Sequence, residues 1–129
     1  MATDAWTPAH RAELEQRTSS PLVGTKLLGQ DAHARIWEIR LAPGERIPFH
    51  RHVLDYFWTC ITGGSAVSRN GDGEVSTVRY EVGETRSLSF GPGESMIHDL
   101  ENSGDGELIF TTVEYLDSPN EPLPLAGNV

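Results

Sequence analysis

The chain has 129 residues, enough for one packed core and too few for two, and its 10 basic and 19 acidic residues give a formal net charge of −9. That charge is spread along the chain rather than gathered into a block, so a phosphate backbone is repelled and nucleic acid is not the expected partner. The single cysteine, Cys60, permits neither an intramolecular disulfide nor a four-thiolate zinc site, and no apolar stretch is long enough for a bilayer or, around Met1 to Thr7, arranged as a leader; a cytoplasmic protein without membrane contact is expected.

In chain order, Thr7 can cap a short helix running to Arg17: Pro8 suits its first turn, and Ala9, Arg11, Ala12, Glu13, Leu14, Glu15 and Gln16 are mostly good helix formers. Ser19, Ser20 and Pro21 end it, and residues 1–30 are expected to form a helical and extended arm. Short β-prone runs separated by Gly, Pro, Asn and Asp follow. In Arg35 to Leu41, Trp37, Ile39 and Leu41 share one face while Ile36, Glu38 and Arg40 share the other, the period of a strand. Pro43-Gly44 then turns the chain. Further strands are expected at Ile47 to His52, Tyr56 to Thr62, Ser65 to Arg69, Glu74 to Tyr80, Thr85 to Phe90 and Glu107 to Tyr115. Asn70-Gly71-Asp72-Gly73 marks a hairpin, because Asn-Gly and Asp-Gly favour the positive φ angles of tight turns. So many short strands point to an all-β sandwich or barrel over residues 31–116. Residues 117–129 hold Pro119, Pro122 and Pro124 and are expected as a tail rather than a central strand.

The chemistry gathers in Gly44-Glu45-Arg46-Ile47-Pro48-Phe49-His50-Arg51-His52. Two imidazoles two positions apart on a strand project to one face, near enough to share an ion, and neutral imidazole is the commonest side-chain ligand for transition metals. His98 follows the turn Gly91-Pro92-Gly93 at the start of another expected strand, and in a barrel the three rings can converge.

These residues resemble the cupin superfamily. Its first motif is Gly, five residues, His-x-His, three or four residues, Glu, six residues, Gly; Gly44, His50, His52 and Gly63 or Gly64 match it. In its second motif Gly83, His98 and Asn102 match, and Gly91-Pro92-Gly93 supplies the turn, with a longer gap from turn to histidine than the pattern has. The resemblance runs roughly from Asp31 to Leu116. It implies a double-stranded β-helix, or jelly-roll barrel, whose open end holds a divalent metal through His50, His52 and His98, with iron foremost and zinc, manganese or nickel suited to the same imidazoles. It also implies a homodimer, since small cupins commonly pair and an unprotected sheet edge is a liability that pairing removes.

One departure bears on function. Where the family pattern has its ligand Glu, this chain has Tyr56 at the shorter spacing and Phe57 at the longer. Asp55 stands one position early, so it reaches the inner face only if the turn after His52 bulges. The fourth position thus falls to Tyr56, as a weak partner or catalytic group, or to Asp55. Three neutral imidazoles leave the ion's charge unneutralised, which favours an anionic substrate and keeps positions open for water or dioxygen. A metal-dependent, Fe(II)-type dioxygenase acting on a small anionic metabolite is the expected function. An isomerase or lyase, a non-catalytic ligand-binding or sensor barrel, and a barrel without chemistry are the alternatives. His10 and His33 are assigned no role; Trp37, Trp58, Met96 and Phe110 suit core or cavity wall; Cys60 suits the core. Arg46 or Arg51 could grip a carboxylate, though Arg51 should point outward, and Asp99 and Glu101 could orient the ring of His98.

Overall fold

The computed structural model describes residues 6–125, in the order α1 (Pro8–Gln16), β1 (Lys26–Gln30), β2 (Ala34–Leu41), β3 (Arg46–His52), β4 (Tyr56–Cys60), β5 (Gly64–Arg69), β6 (Val75–Tyr80), β7 (Thr85–Leu88), β8 (Met96–Asn102) and β9 (Leu108–Tyr115). The outermost parts of the expected arm and tail, 1–5 and 126–129, lie outside the described residues. The strands form two antiparallel sheets, β1-β2-β9-β4-β7 and β3-β8-β5-β6. The expected jelly roll is what the chain builds. None of the described helices is long and apolar enough to cross a membrane.

Strand alternation fixes which side chains meet. Along β2 and β9 the inner face is set by direct pairs, Leu41 with Leu108, Ile39 with Phe110, Trp37 with Thr112 and Arg35 with Glu114, all buried. Leu41, Leu108, Ile39 and Phe110 join Ile47, Cys60, Ala66 and Leu100 in one cluster, which Trp58 and Tyr80 pack against. Trp58, Tyr80 and Phe110 meet edge to face at centroid distances of 4.9 to 5.4 Å. The cluster fills one half of the barrel. Inward positions in the other half carry Trp37, His50, His52, Tyr56, Thr112 and Glu114.

The hairpin at Asn70 to Gly73 forms as expected, with the Gly73 amide donating to the Asn70 carbonyl at 3.0 Å and Gly73 at φ +92°. Two strands differ from the sequence reading. β1 lies within residues 1–30 and pairs with β2, so the sheet begins ahead of residue 31. Its residues are partly solvated and broken by a register shift at Leu28, which hides the alternation. His98 sits inside β8 rather than at its start. The segment after β9 is fastened rather than free: the Asn120 amide donates to the carbonyls of Val53 (3.1 Å) and Gly91 (3.0 Å), and its oxygen accepts from the Gly93 amide (2.8 Å).

The helix starts at Thr7, whose hydroxyl accepts from the His10 amide, while the His10 ring accepts from the Thr7 amide at 3.0 Å, so His10 has a capping role that its spacing did not suggest. Glu13 reaches from α1 to the outer face of β3, accepting from the two terminal guanidinium nitrogens of Arg46 (2.9 and 2.7 Å) and from the Phe49 amide (3.0 Å). Arg46 also donates to Asp99 (2.6 Å), and Asp99 accepts from the Arg69 guanidinium (2.9 Å) and amide (2.6 Å). Arg69 continues to Glu101 at 2.9 Å. Asp99 is wholly buried, so this chain of charges is not a surface decoration. Removing one partner of a buried pair strands the other. Asp99→Asn should therefore lower the unfolding free energy in urea by about 3–5 kcal/mol, and Glu13→Gln, whose carboxylate is partly exposed, by clearly less; equal losses would show that Asp99 is not the hub.

Candidate metal centre

β3 carries His50 and His52, and its antiparallel partner β8 sets His98 directly across from His50. The three rings sit edge to face with centroids 4.7 to 5.0 Å apart. One nitrogen from each lies within 4.8 Å of the others.

The hydrogen bonds fix which nitrogen is free. His50 Nδ1 lies 2.8 Å from the Pro48 carbonyl, which only accepts, so Nδ1 carries the proton and Nε2 keeps its lone pair. The Ser68 hydroxyl donates to the Asp99 carbonyl at 2.8 Å, which leaves its oxygen to accept from His98 Nδ1 at 3.4 Å. Nε2 of His98 then faces Nε2 of His52 at 3.1 Å. Two nitrogens each about 2.1 Å from one ion, at a right angle, stand about 3.0 Å apart. His52 Nδ1 is buried without a partner.

Burial holds His50 and His52 well below the ordinary imidazole range and brings His98 down to about 4, partly opposed there by the neighbouring Asp99. All three are neutral at pH 7 and have lone pairs to give. The cavity at their tips holds about 50 Å³, lined also by Val23 and Ile47, which is room for an ion and a few waters. Donor type, tautomers, charge state and space all fit a divalent transition metal.

The other expectations sort clearly. Tyr56 lines the same cavity, its ring stacked on His52 at 4.2 Å and 11°, and burial raises its hydroxyl above the usual range. Asp55 does not join the histidines: its carboxylate accepts from the Phe90 amide at 2.9 Å and its own amide donates to Ser118. It precedes β4, whose first residue, Tyr56, is the one that lines the cavity. Arg46 is committed to Glu13 and Asp99, and Arg51 points outward to the Thr18 carbonyl and the Ser95 hydroxyl, so neither grips a ligand. Asp99 and Glu101 bind arginines on the outer face and do not orient the His98 ring. Cys60 is buried in the core, as its size suits.

No protein-family model matches the chain, and no curated protein matches it. Solved structures do. A cupin domain from Bordetella pertussis superposes with a TM-score of 0.61 at 23% identity, over 70% of this chain and 88% of the other. A cupin family protein with a double-stranded β-helix fold from Methanocaldococcus jannaschii gives 0.57 at 22%, over 81% and 84%.

The fold is that of the cupins.

A protein with a double-stranded β-helix domain from Klebsiella pneumoniae, at 0.55 and 25% identity over 70% of this chain and 73% of its own, agrees. Within that cupin barrel, Glu114 is the inner-face residue that the motif reading missed. It is buried beside Arg35, with the Trp37 indole donating to it at 2.8 Å, and its signal was a charge at an inward position after Leu108, Phe110 and Thr112. Burial pushes its carboxyl from the ordinary 4.5 up to about 7, against the pull of Trp37 and Arg35. Between those values the folded chain holds a proton that the unfolded chain has released, so this stabilisation is full below 4.5 and is lost as pH rises through 7. Urea midpoints of Glu114→Gln should gain on those of the wild type from about pH 5 to about pH 8. Parallel curves would mean that Glu114 stays ionised throughout.

Proposed function

We propose that the chain is a metal-dependent oxygenase, taking iron at His50, His52 and His98 and acting on a small anionic metabolite. The supporting observation is the donor set: three neutral imidazoles converge and, among the described residues, no carboxylate joins them. Neutral donors leave a divalent charge undiminished, which attracts an anion against the chain's net −9 and keeps positions open. Bound iron would supply Lewis-acid and one-electron chemistry at the His50–His52–His98 cluster.

The chain's own residues prepare that place. Pro48 and Ser68 hold two of the rings in the tautomer that frees Nε2. Trp58, Tyr80 and Phe110, packed edge to face, line the cavity on its core side with aromatic rings. Tyr56, kept as the neutral phenol by burial, donates a proton or a hydrogen bond to substrate.

Protein purified without a histidine tag should carry stoichiometric iron, lost in His50→Ala and His98→Ala. Oxygen uptake against small keto, thiol and amino acids reads the activity. Tyr56→Phe should keep the metal and slow uptake about 100-fold. An acid consumed without oxygen would move the assignment to an isomerase or lyase, and failure to load iron, zinc, manganese or nickel would end the metal reading.

A further inference from the structure

Beyond the histidines the interior opens between the free edges of the two sheets, β7 on one side and β6 on the other. The opening holds about 230 Å³ and adjoins the cavity at the imidazole tips, with Tyr56, Trp58, Tyr80 and His98 lining both. Its walls are unequal. On the β4–β7 side Arg86 stands beside Tyr56, Trp58 and Leu88; the β6 side brings Ser76, Val78 and Tyr80.

Register says where Arg86 points. It is directly opposite Trp58 in the β4–β7 ladder, as Leu88 is opposite Tyr56, and opposed residues share a face. Trp58 faces inward, so Arg86 does too, at the mouth where solvent reaches it. It is the basic residue among those lining either cavity. Other arginines are engaged: Arg46 and Arg69 with Asp99, Arg40 with Glu38 and Glu107, Arg51 with Thr18 and Ser95, and Arg17 and Arg35 with the carbonyls of Phe49 and Leu123. Arg86 makes no ion pair within 4.0 Å among the described residues. Glu84, the acid that shares the opening, turns its carboxylate to the Glu81 amide at 3.0 Å.

We infer that Arg86 anchors the substrate, gripping the carboxylate of a short organic acid whose other end presents an oxygen to the three-histidine centre. This assignment rests on the metal reading above and names its substrate class. A guanidinium fork holds a carboxylate bidentately and in a fixed plane, which selects acids over amides and esters. The strand rise sets Arg86 about 7 Å along β7 from Leu88, the residue opposite Tyr56. A spacer of a few carbons must therefore separate the two ends of the ligand.

Zinc-loaded protein, which is redox-inert, is titrated calorimetrically with the dicarboxylates from oxalate to glutarate and with the monoamide of each. One carboxylate serves the ion; the second tests Arg86. In the wild type a member longer than oxalate should bind roughly tenfold or more tighter than its monoamide. Arg86→Gln should erase that preference while leaving monoamide affinity and zinc content unchanged, Arg86→Lys should keep part of it, and Arg79→Gln, on β6 but outside the opening, should keep it all. A preference that survives Arg86→Gln, or a wild type that favours no diacid over its monoamide, overturns the assignment. Zinc content, measured first, separates the two readings: a chain that takes up no ion sinks the metal centre, whereas a loaded chain indifferent to Arg86→Gln sinks this inference alone.

Discussion

Three uncharged imidazoles held edge to face around one small cavity are the arrangement that the rest of the chain supports. Imidazole nitrogens at 3.1 Å with lone pairs converging repel one another unless something positive lies between them, so the backbone must hold them there. The barrel does so by dividing each strand. β3, β8 and β9 supply Ile47, Leu100 and Leu108 to a packed cluster at one end, and toward the other end supply His50, His52, His98 and Thr112 to the cavity. The apolar half anchors the register, and the register aims the rings.

The same two-residue period gives the ligand strands a second grip on their outer face. His98 and Asp99 are consecutive, so one enters the cavity while the other meets Arg46 and Arg69 outside. Phe49 precedes His50, and its amide is taken by Glu13 from α1 while its ring lies under Trp6. The N-terminal helix is thus bolted to the backbone of the strand that carries two of the three histidines.

Much of this was legible in the letters wherever the cause is local. The alternation of Arg35 to Leu41, the Thr7 cap and the Asn-Gly turn depend on neighbours a few positions away, and the structure forms all three. His50 and His52 share a face by period alone, and motif resemblance brought in His98. What failed depended on distant partners. Nothing near Arg46 or Asp99 in sequence shows that they meet, with Glu13 behind them, and β1 is too solvated to alternate visibly. Glu114 was readable in principle, since its inward parity follows from Leu108, but a charge at an inward position is easily taken for a strand end. Arg86 could be placed only once β7 was known to pair with β4.

The strand order carries one more consequence. β9 is the last strand to be made, yet it lies at the centre of its sheet, between β2 and β4. Until Tyr115 has been synthesised, those two strands have no partner for the edges they turn toward each other, and the nascent polypeptide must keep them apart from other chains. Folding is therefore a closing event that waits for the whole ring, with contacts between residues far apart in sequence setting its pace.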